Sequence, residues 1–440
     1  MPRLTPLMMH RVLPVAAGIR WARRDIVIGL TFAGAVIAYT DRVNISVAAV
    51  AMREQFGWSQ TEKGLILSAF FVGYLSFMFI AGLLSARYGG KRVLGCSVLA
   101  WSIVTLLTPA AAMTSIAMLV AARIGMGVGE AAMFPAAYDL FARWVPEGER
   151  TRAVGRVLSG TAMGMLIGLT ASGWLVGRYG WPMAFYAFGA CGLVWVVLWH
   201  RVIENDPADD CRLGAEERAL LVGTRPKPEA TRRVPMRRLL LHRSVAAVVI
   251  AHFATTWSLY VLLSWLPSYF RDVQRLSVAS AGLFSAAPWL AHFAAANLAA
   301  MLSDHMIRRG FGVAATRKLM QGVGLVGSAL FLVALHGAPS PGTALALLCA
   351  AAAALACSYS GYAAGILEIA PHHGAVLFGF SNTFAAIPGI VGVAATGWLV
   401  DWTGTYSAAF ALTAAVSLVS ALAFGVLFNV RVLSADLGHQ

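Results

Sequence analysis

Ala38-Tyr39-Thr40-Asp41-Arg42-Val43-Asn44-Ile45-Ser46 lies inside an apolar run that begins near Ile26 and ends near Met52. A carboxylate and a guanidinium side by side in such a run are costly, roughly 2.5–3.5 kcal/mol for an ionised residue near the middle of a membrane helix. Groups kept there at that cost usually face the interior of a helix bundle. Adjacent helix residues point about 100° apart, so Asp41 and Arg42 face different neighbours. Asp41 is expected to meet Asn44 or a group on the fourth apolar run.

The rest of the chain fits this setting. The 440 residues are 59% hydrophobic and only 12% charged, with a mean hydropathy of +0.71. Soluble domains carry about twice that share of charge. Runs of about 20 apolar residues, each long enough to cross a bilayer, recur at 26–52, 64–84, 93–112, 115–141, 153–176 and 182–203. They resume at 244–267, 280–302, 315–336, 342–366, 375–400 and 406–429. The predicted fold is an all-α membrane protein of twelve transmembrane helices in two six-helix halves. Residues 1–25 form an N-terminal tail, 26–203 the first bundle, 204–243 a linker, 244–429 the second bundle and 430–440 a C-terminal tail. Within the linker, Ala215–Val222 has the pattern of a short amphipathic helix lying on the membrane surface.

The net charge of +14 is explained by location. With both termini in the cytoplasm, 27 of the 34 Lys and Arg fall in cytoplasmic segments. Five (Arg53, Lys63, Arg178, Arg271 and Arg275) fall in outer loops, and Arg42 and Arg123 lie within spans. This asymmetry sets the orientation and leaves no need for a nucleic-acid partner. The Arg-rich, acid-free first 24 residues read as a cytoplasmic anchor rather than a transit peptide. Together with the preference for Arg over Lys and the high Ala content, this places the chain in a bacterial inner membrane. The five cysteines show neither metal-type nor disulfide-type spacing and read as buried small hydrophobes.

The halves repeat each other. Ala171-Ser-Gly173-Trp174-Leu175-Val176-Gly-Arg-Tyr-Gly180 recurs as Ala395-Thr-Gly397-Trp398-Leu399-Val400-Asp-Trp-Thr-Gly404, and Gly82-Leu-Leu84-Ser85-Ala86-Arg87 as Ala300-Met-Leu302-Ser303-Asp304-His305. Parallel repeats with a site between them are a transporter architecture. This chain resembles the major facilitator superfamily, and within it the anion:cation symporter family. The stretches that carry the likeness are Thr40-Asp-Arg-Val-Asn44-Ile-Ser46-Val-Ala48, Arg123-Ile-Gly-Met-Gly-Val-Gly-Glu130 with Pro135, and Trp257-Ser-Leu-Tyr260 through Trp265-Leu-Pro267-Ser-Tyr269-Phe270. Ile369-Ala-Pro371, Phe378-Gly-Phe-Ser381-Asn382 and Pro388-Gly389 complete them. It looks most like the sialin, vesicular glutamate and plant phosphate-type branch, with bacterial sugar-acid permeases nearby. The family's loop motif has an acid at the position of Ala86, which the second copy retains as Asp304; Arg87 and Asp304 are therefore gating candidates. The vesicular glutamate branch lacks a carboxylate at the position of Asp41, so its presence points towards proton symport.

Arginine is never neutral in a protein and offers a planar fork to a carboxylate or phosphate. Counted by helical rise, Arg42 lies roughly 24 Å from one end of the first span and Arg123 roughly 12 Å from the opposite end of the fourth. Those depths coincide to about a turn, so the two could jointly hold an anion. Glu130 is seven residues after Arg123, nearly on the same helix face. Asp41 and Glu130 are read as proton carriers, with permanent structural ion pairs as the alternative. Tyr39, Tyr74, Ser381 and Asn382 are candidate substrate ligands, and helix-to-helix glue is the alternative for them. His252, His292, Tyr260 and Trp289 could also line the cavity. Asp139 reads as an i,i+4 partner of Arg143, and Glu368 as solvated. Gly160, Gly164 and Gly168, like Gly125 and Gly129, repeat at four-residue spacing and let helices approach closely.

The predicted activity is secondary transport: symport of a small organic anion, a sugar acid or other carboxylate, with protons by alternating access. A proton gradient is the driving force, no cofactor or metal is required, and a monomer in the bilayer suffices. The alternatives are a phosphate-type or organic-anion exchanger driven by sodium or membrane potential, and a non-transporting anion sensor. No nucleophile–base pair, metal-ligand spacing or phosphate loop suggests an enzyme.

Overall fold

The computed structural model describes residues 22–223, 240–369 and 373–430. Residues 1–21, three of the linker's four prolines, Pro371, His372 and residues 431–440 lie outside the described residues. Among those described, twelve helices are long and apolar enough to cross a membrane. In chain order, spans one to six are Arg23–Phe56, Gln60–Tyr88, Gly90–Thr114, Ile116–Trp144, Glu147–Tyr179 and Trp181–Val202. Spans seven to twelve are Arg243–Asp272, Val278–Arg308, Val313–Gly337, Pro341–Ile369, Val376–Thr403 and Ser407–Leu427. Most outrun the apolar runs at one or both ends, because polar caps and first-turn charges sit outside the hydrocarbon yet still wind as helix.

Local chemistry explains where the helices start and stop. Ser59 and Glu62 form a reciprocal capping box at the start of span two. Ser115, Ser277 and Ser340 cap spans four, eight and ten. Gly57 and Gly404 end spans one and eleven in the left-handed region, with φ of 70° and 69°. Span four is interrupted at Ala131–Ala132, just after Glu130. Pro135 lacks the N–H that would reach Ala131 and its ring crowds that carbonyl. Span ten is interrupted at comparable depth by a π-helical turn, Tyr359–Ala363.

The outer surface of the bundle is apolar, and its charged and polar groups within the spans are held inside a largely apolar core. Asp41, Asn44 and Glu130 are fully buried, whereas Phe79, Leu422 and Trp402 stand exposed on the outer surface, as expected where lipid covers the apolar face. This corrects the reading of the cysteines: Cys96, Cys191 and Cys211 are exposed and none is paired. In a membrane bundle an apolar residue need not be an interior one. In the first half, span one packs on span five and span two on span four; in the second, seven packs on eleven and eight on ten. The pairings follow the internal repeat. A Cβ on Gly127 would lie 2.0 Å from Phe70 O and one on Gly73 2.0 Å from Ile124 O, so only glycine lets spans two and four meet backbone to backbone. Gly160, Gly164 and Gly168 likewise seat span five against Phe32, Val36 and Thr40 of span one.

Across the halves, span two packs on span eleven and span five on span eight. The end of the bundle away from the termini is fastened by polar contacts. Gln60 N–H and Thr61 N–H donate to Asp401 at 3.0 and 2.7 Å, and Thr61 Oγ1 donates to it at 2.6 Å. Gln60 Nε2 donates to Asp272 at 2.9 Å, and Arg271 pairs with Glu54 at 2.9 Å. Lys63, expected in an outer loop, is instead 1% exposed. Its ammonium donates to Ser268 Oγ at 2.9 Å and sits 4.6 Å from the Trp265 ring. The capping box starts span two before Lys63, so its position marks the helix's first turn rather than the loop. Among the described residues, every ion pair and carboxylate hydrogen bond between the halves lies at this end, so this end is closed.

Near the termini, Asp210 in the linker is gripped by Arg23 at 2.6 Å and Arg212 at 3.0 Å. Burial works upward on the Asp210 carboxyl, but these hydrogen bonds and charges win and hold it below the usual carboxylate value. A helix forms at Ala215–Gly223, and its Glu217 accepts from Arg23 N–H and Arg24 N–H at the start of span one. The linker helix is therefore tied to the bundle through an anion at a helix N-terminus.

Candidate functional site

Four charged groups converge at mid-depth in the first half. Arg42 Nη2 and Nε donate at 2.9 and 3.1 Å to one oxygen, Oε2, of Glu130. Arg42 is thus the ion-pair partner of Glu130, although Arg123 shares the helix that carries Glu130. Glu130 Oε1 has no hydrogen-bond partner, nor does either oxygen of Asp41. Of the two partners expected for Asp41, span four supplies the charged ones: Glu130 and Arg123 lie beside it, with Trp101 of span three, whereas Asn44 accepts from Ser172. The Trp101 indole N–H is likewise unpaired.

Arg123 is 2% exposed, directs Nη1 to Met126 Sδ at 2.9 Å, and leaves its Nε–H unpaired. Most buried polar groups are satisfied. This cluster holds several open donors and acceptors, all of them buried. Two guanidiniums and two carboxyls also make the centre neutral when both acids are ionised, so an added anion needs one added positive charge.

Aromatic rings wall the site. The Arg42 guanidinium lies 4.4 Å from the Tyr39 ring, 4.7 Å from Phe70 and 4.9 Å from Tyr74, the stacking that guanidinium planes favour. Arg123 shares Phe70 at 5.3 Å. From the second half, Tyr260 packs on Phe71 at 4.4 Å and is an electrostatic neighbour of Arg42, Tyr39, Tyr74 and Tyr359. A cavity of about 10 Å³, room for about one water, is lined by Arg42, Ser46, Phe70 and Arg123 together with Leu263 and Ser264 of span seven. The depth count is thus met: both arginines face one small space between the halves.

The structure does not bring every candidate here. Ser381 is buried in the second half, 3.1 Å from His252 Nδ1, and Asn382 reaches Met78 Sδ of span two at 3.4 Å. Met78 is one turn beyond Tyr74, so Asn382 borders the seam, but neither residue lines the arginine cavity. Arg87 and Asp304 are exposed and form no ion pair among the described residues. Arg87 rests 5.3 Å from the Tyr88 ring. Asp139 pairs with Arg143 at 3.2 Å and also accepts from Gly90 N–H. Glu368 is not solvated as expected; it pairs with the buried Arg317, accepting from Nε at 3.0 Å. His292 bonds Ala352 O at 2.9 Å.

Sequence reasoning missed Tyr359 and Tyr362. Tyr362 stacks on His252 at 4.6 Å, while Tyr359 meets His292 at 5.7 Å and is an electrostatic neighbour of Tyr39 across the seam.

The Major Facilitator Superfamily profile matches residues 31–316. The chain is 36% identical over 397 residues to the sodium-dependent phosphate transport protein 1, chloroplastic, of Arabidopsis thaliana, covering 90% of this chain and 77% of that one. It is 35% identical over 407 residues to the probable anion transporter 4, chloroplastic, of Oryza sativa subsp. japonica (92% and 69% covered). Likeness to the ascorbate transporter, chloroplastic, of Arabidopsis thaliana is 33% over 407 residues (92% and 75%). Among solved structures, a bacterial homologue of the human lysosomal transporter Spinster superposes with a TM-score of 0.74 at 17% identity, covering 92% of this chain and 97% of that one. A D-xylose–proton symporter does so with 0.70 at 17% identity, covering 93% and 99%.

Proposed function

Because the chain belongs to the major facilitator superfamily, alongside anion transporters, we propose that it is a symporter that moves a small organic anion together with protons. Transport of anions, rather than enzymatic chemistry, is the activity its relatives share. The finer reading rests on one observation: Arg42 spends both hydrogen bonds on a single oxygen of Glu130, leaving Glu130 Oε1 and all of Asp41 unpaired beside Arg123. A substrate carboxylate reaching Arg42 must displace Glu130. Protonating Glu130 removes the competing charge, and the proton balances the charge of the incoming anion. Without it the buried centre would hold an uncompensated charge, which costs several kcal/mol. Asp41, with Trp101 as neighbour, offers a second proton position.

With the termini in the cytoplasm, as the Lys and Arg distribution indicates, the closed end faces outward. A bacterial inner membrane fits that orientation. The family motifs and the tyrosine-walled arginine pair support a sugar acid or similar carboxylate as substrate.

A second reading, phosphate driven by sodium, is favoured by the likeness to the sodium-dependent phosphate transport protein 1, chloroplastic. Proteoliposomes loaded against an inward proton or sodium gradient and offered labelled D-gluconate or inorganic phosphate separate the two. Gluconate uptake driven by the proton gradient and blocked in Asp41→Asn and Glu130→Gln is the expected result. Uptake driven by sodium alone, or indifferent to both substitutions, overturns the coupling.

A further inference from the structure

Span ten does not run as one α-helix. At Tyr359–Ala363 it takes a π turn, with Ala364 N–H bonded back to Tyr359 O, and such a turn strands backbone groups that an α-helix would pair. Two residues of span nine collect them. Arg317 Nη1 donates to Ser360 O at 3.2 Å, and Gln321 Oε1 accepts from Tyr362 N–H at 3.1 Å. Arg317 and Gln321 are four residues apart, so they rise from one face of span nine. The fit between the spans is close. A Cβ on Gly361 would lie 2.6 Å from Gln321 Oε1 and 2.9 Å from its backbone N, and one on Gly324 would lie 2.2 Å from Ser358 Oγ. Arg317 is itself fixed by Ser303 Oγ at 2.6 Å and by Glu368.

The extra residue in the turn changes what faces the centre. Relaxing it to α-helix would rotate one side of span ten against the other by about 100°. The turn is what lets Tyr362 stack under His252 while Tyr359 meets His292 and faces Tyr39, the ring that stacks on Arg42, across the seam. Neither Arg317 nor Gln321 lines the arginine cavity. We infer that Arg317 and Gln321 are positioning residues for anion recognition, clamping the π turn of span ten so that Tyr359 stays opposite Tyr39, the ring that stacks on Arg42. This rests on the transport reading for what the wall recognises; the clamp itself does not.

The test compares Gln321→Met, which keeps the volume and removes the acceptor, with Gln321→Glu, which keeps an acceptor. Hydrogen exchange of the segment 357–364 reports the clamp, and uptake of D-gluconate into proteoliposomes under a proton gradient reports recognition. In Gln321→Met, exchange is expected to quicken by about tenfold, as for a buried amide that has lost its partner. KM for gluconate should rise by about tenfold while the maximal rate stays within about twofold, the pattern of lost binding rather than lost chemistry. Gln321→Glu should restore both. Unchanged exchange in Gln321→Met overturns the clamp. Quickened exchange with unchanged KM, or a fall in maximal rate alone, overturns the positioning role. If the wild type takes up neither gluconate nor phosphate, the transport reading falls and the recognition role with it, while the exchange measurement still decides the clamp.

Discussion

Glu130→Gln is the most informative single change at the centre. The amide oxygen can accept the same two bonds that Arg42 now gives to Oε2 at 2.9 and 3.1 Å, so packing is retained while the charge and the titratable proton are lost. Removing the acceptor outright would strand a buried guanidinium at about 3–5 kcal/mol; the amide keeps the hydrogen bonds but leaves the centre one positive charge in excess. In the wild type, each proton taken up with the anion steepens anion affinity by tenfold per pH unit, or about 1.4 kcal/mol. If one proton enters at Glu130, Kd for gluconate should weaken by about 100-fold between about pH 5.5 and 7.5. In Glu130→Gln that part of the slope vanishes, and any slope that persists belongs to Asp41. Titrating purified protein with gluconate across this range measures it. Gluconate exchange across the membrane should survive, while accumulation against a gradient should fail. A pH slope in Glu130→Gln equal to that of the wild type refutes the competition between Glu130 and substrate for Arg42.

Four further outcomes are expected. Arg123→Gln should reduce uptake by more than about 100-fold, and Arg123→Lys should not restore it, because an ammonium lacks the planar fork. Asp401→Asn weakens three hydrogen bonds across the halves at an exposed site, worth about 1 kcal/mol after screening; a cysteine placed at Ser268 should then label about fivefold more readily, and unchanged labelling would exclude Asp401 as a fastener. Gly127→Ala drives a methyl to 2.0 Å from Phe70 O and should lower the melting temperature by several degrees, an overpacking cost of about 1–3 kcal/mol. Asp210 has its carboxyl held below the ordinary value near 3.9, so its stabilising effect is complete at neutral pH and fades as pH falls below about 4. Asp210→Asn should therefore destabilise at pH 7 and converge with the wild type in acid, as thermal unfolding in detergent would show.

The twelve spans were legible because lipid imposes length and apolarity on every crossing segment. The shared depth of Arg42 and Arg123 followed from helical rise alone. What rise and periodicity cannot supply is the rotation of one helix about another. That rotation decides that Glu130 meets Arg42 rather than Arg123, and that Ser381 faces His252 rather than the cavity. Lys63 was misplaced because a charge normally marks the end of a span, and here it is folded back between Ser268 and Trp265. Tyr359 was missed for a different reason: an inserted residue resets the helical phase, and a count at 3.6 per turn assumes none. The nearest available signal was Gly361 between two tyrosines, a glycine that the tight seam with Gln321 requires.

The internal repeat makes two seams between the halves, and they have diverged. Where Gly397 and Asp401 of span eleven meet the start of span two, the carboxylate clasps Gln60 and Thr61. Where the equivalent Gly173 and Gly177 of span five meet span eight, the neighbours are the backbone and methyl of Ala279 and the backbone of Gly282. One copy is fastened by polar contacts and the other packs through backbone and methyl groups. Water arriving from the closed side can unfasten the first by offering substitute hydrogen bonds, yet it finds little to compete for in the second. Opening should begin along spans two and eleven and turn about spans five and eight, so a molecule duplicated for symmetry opens lopsidedly, from its hydrated seam.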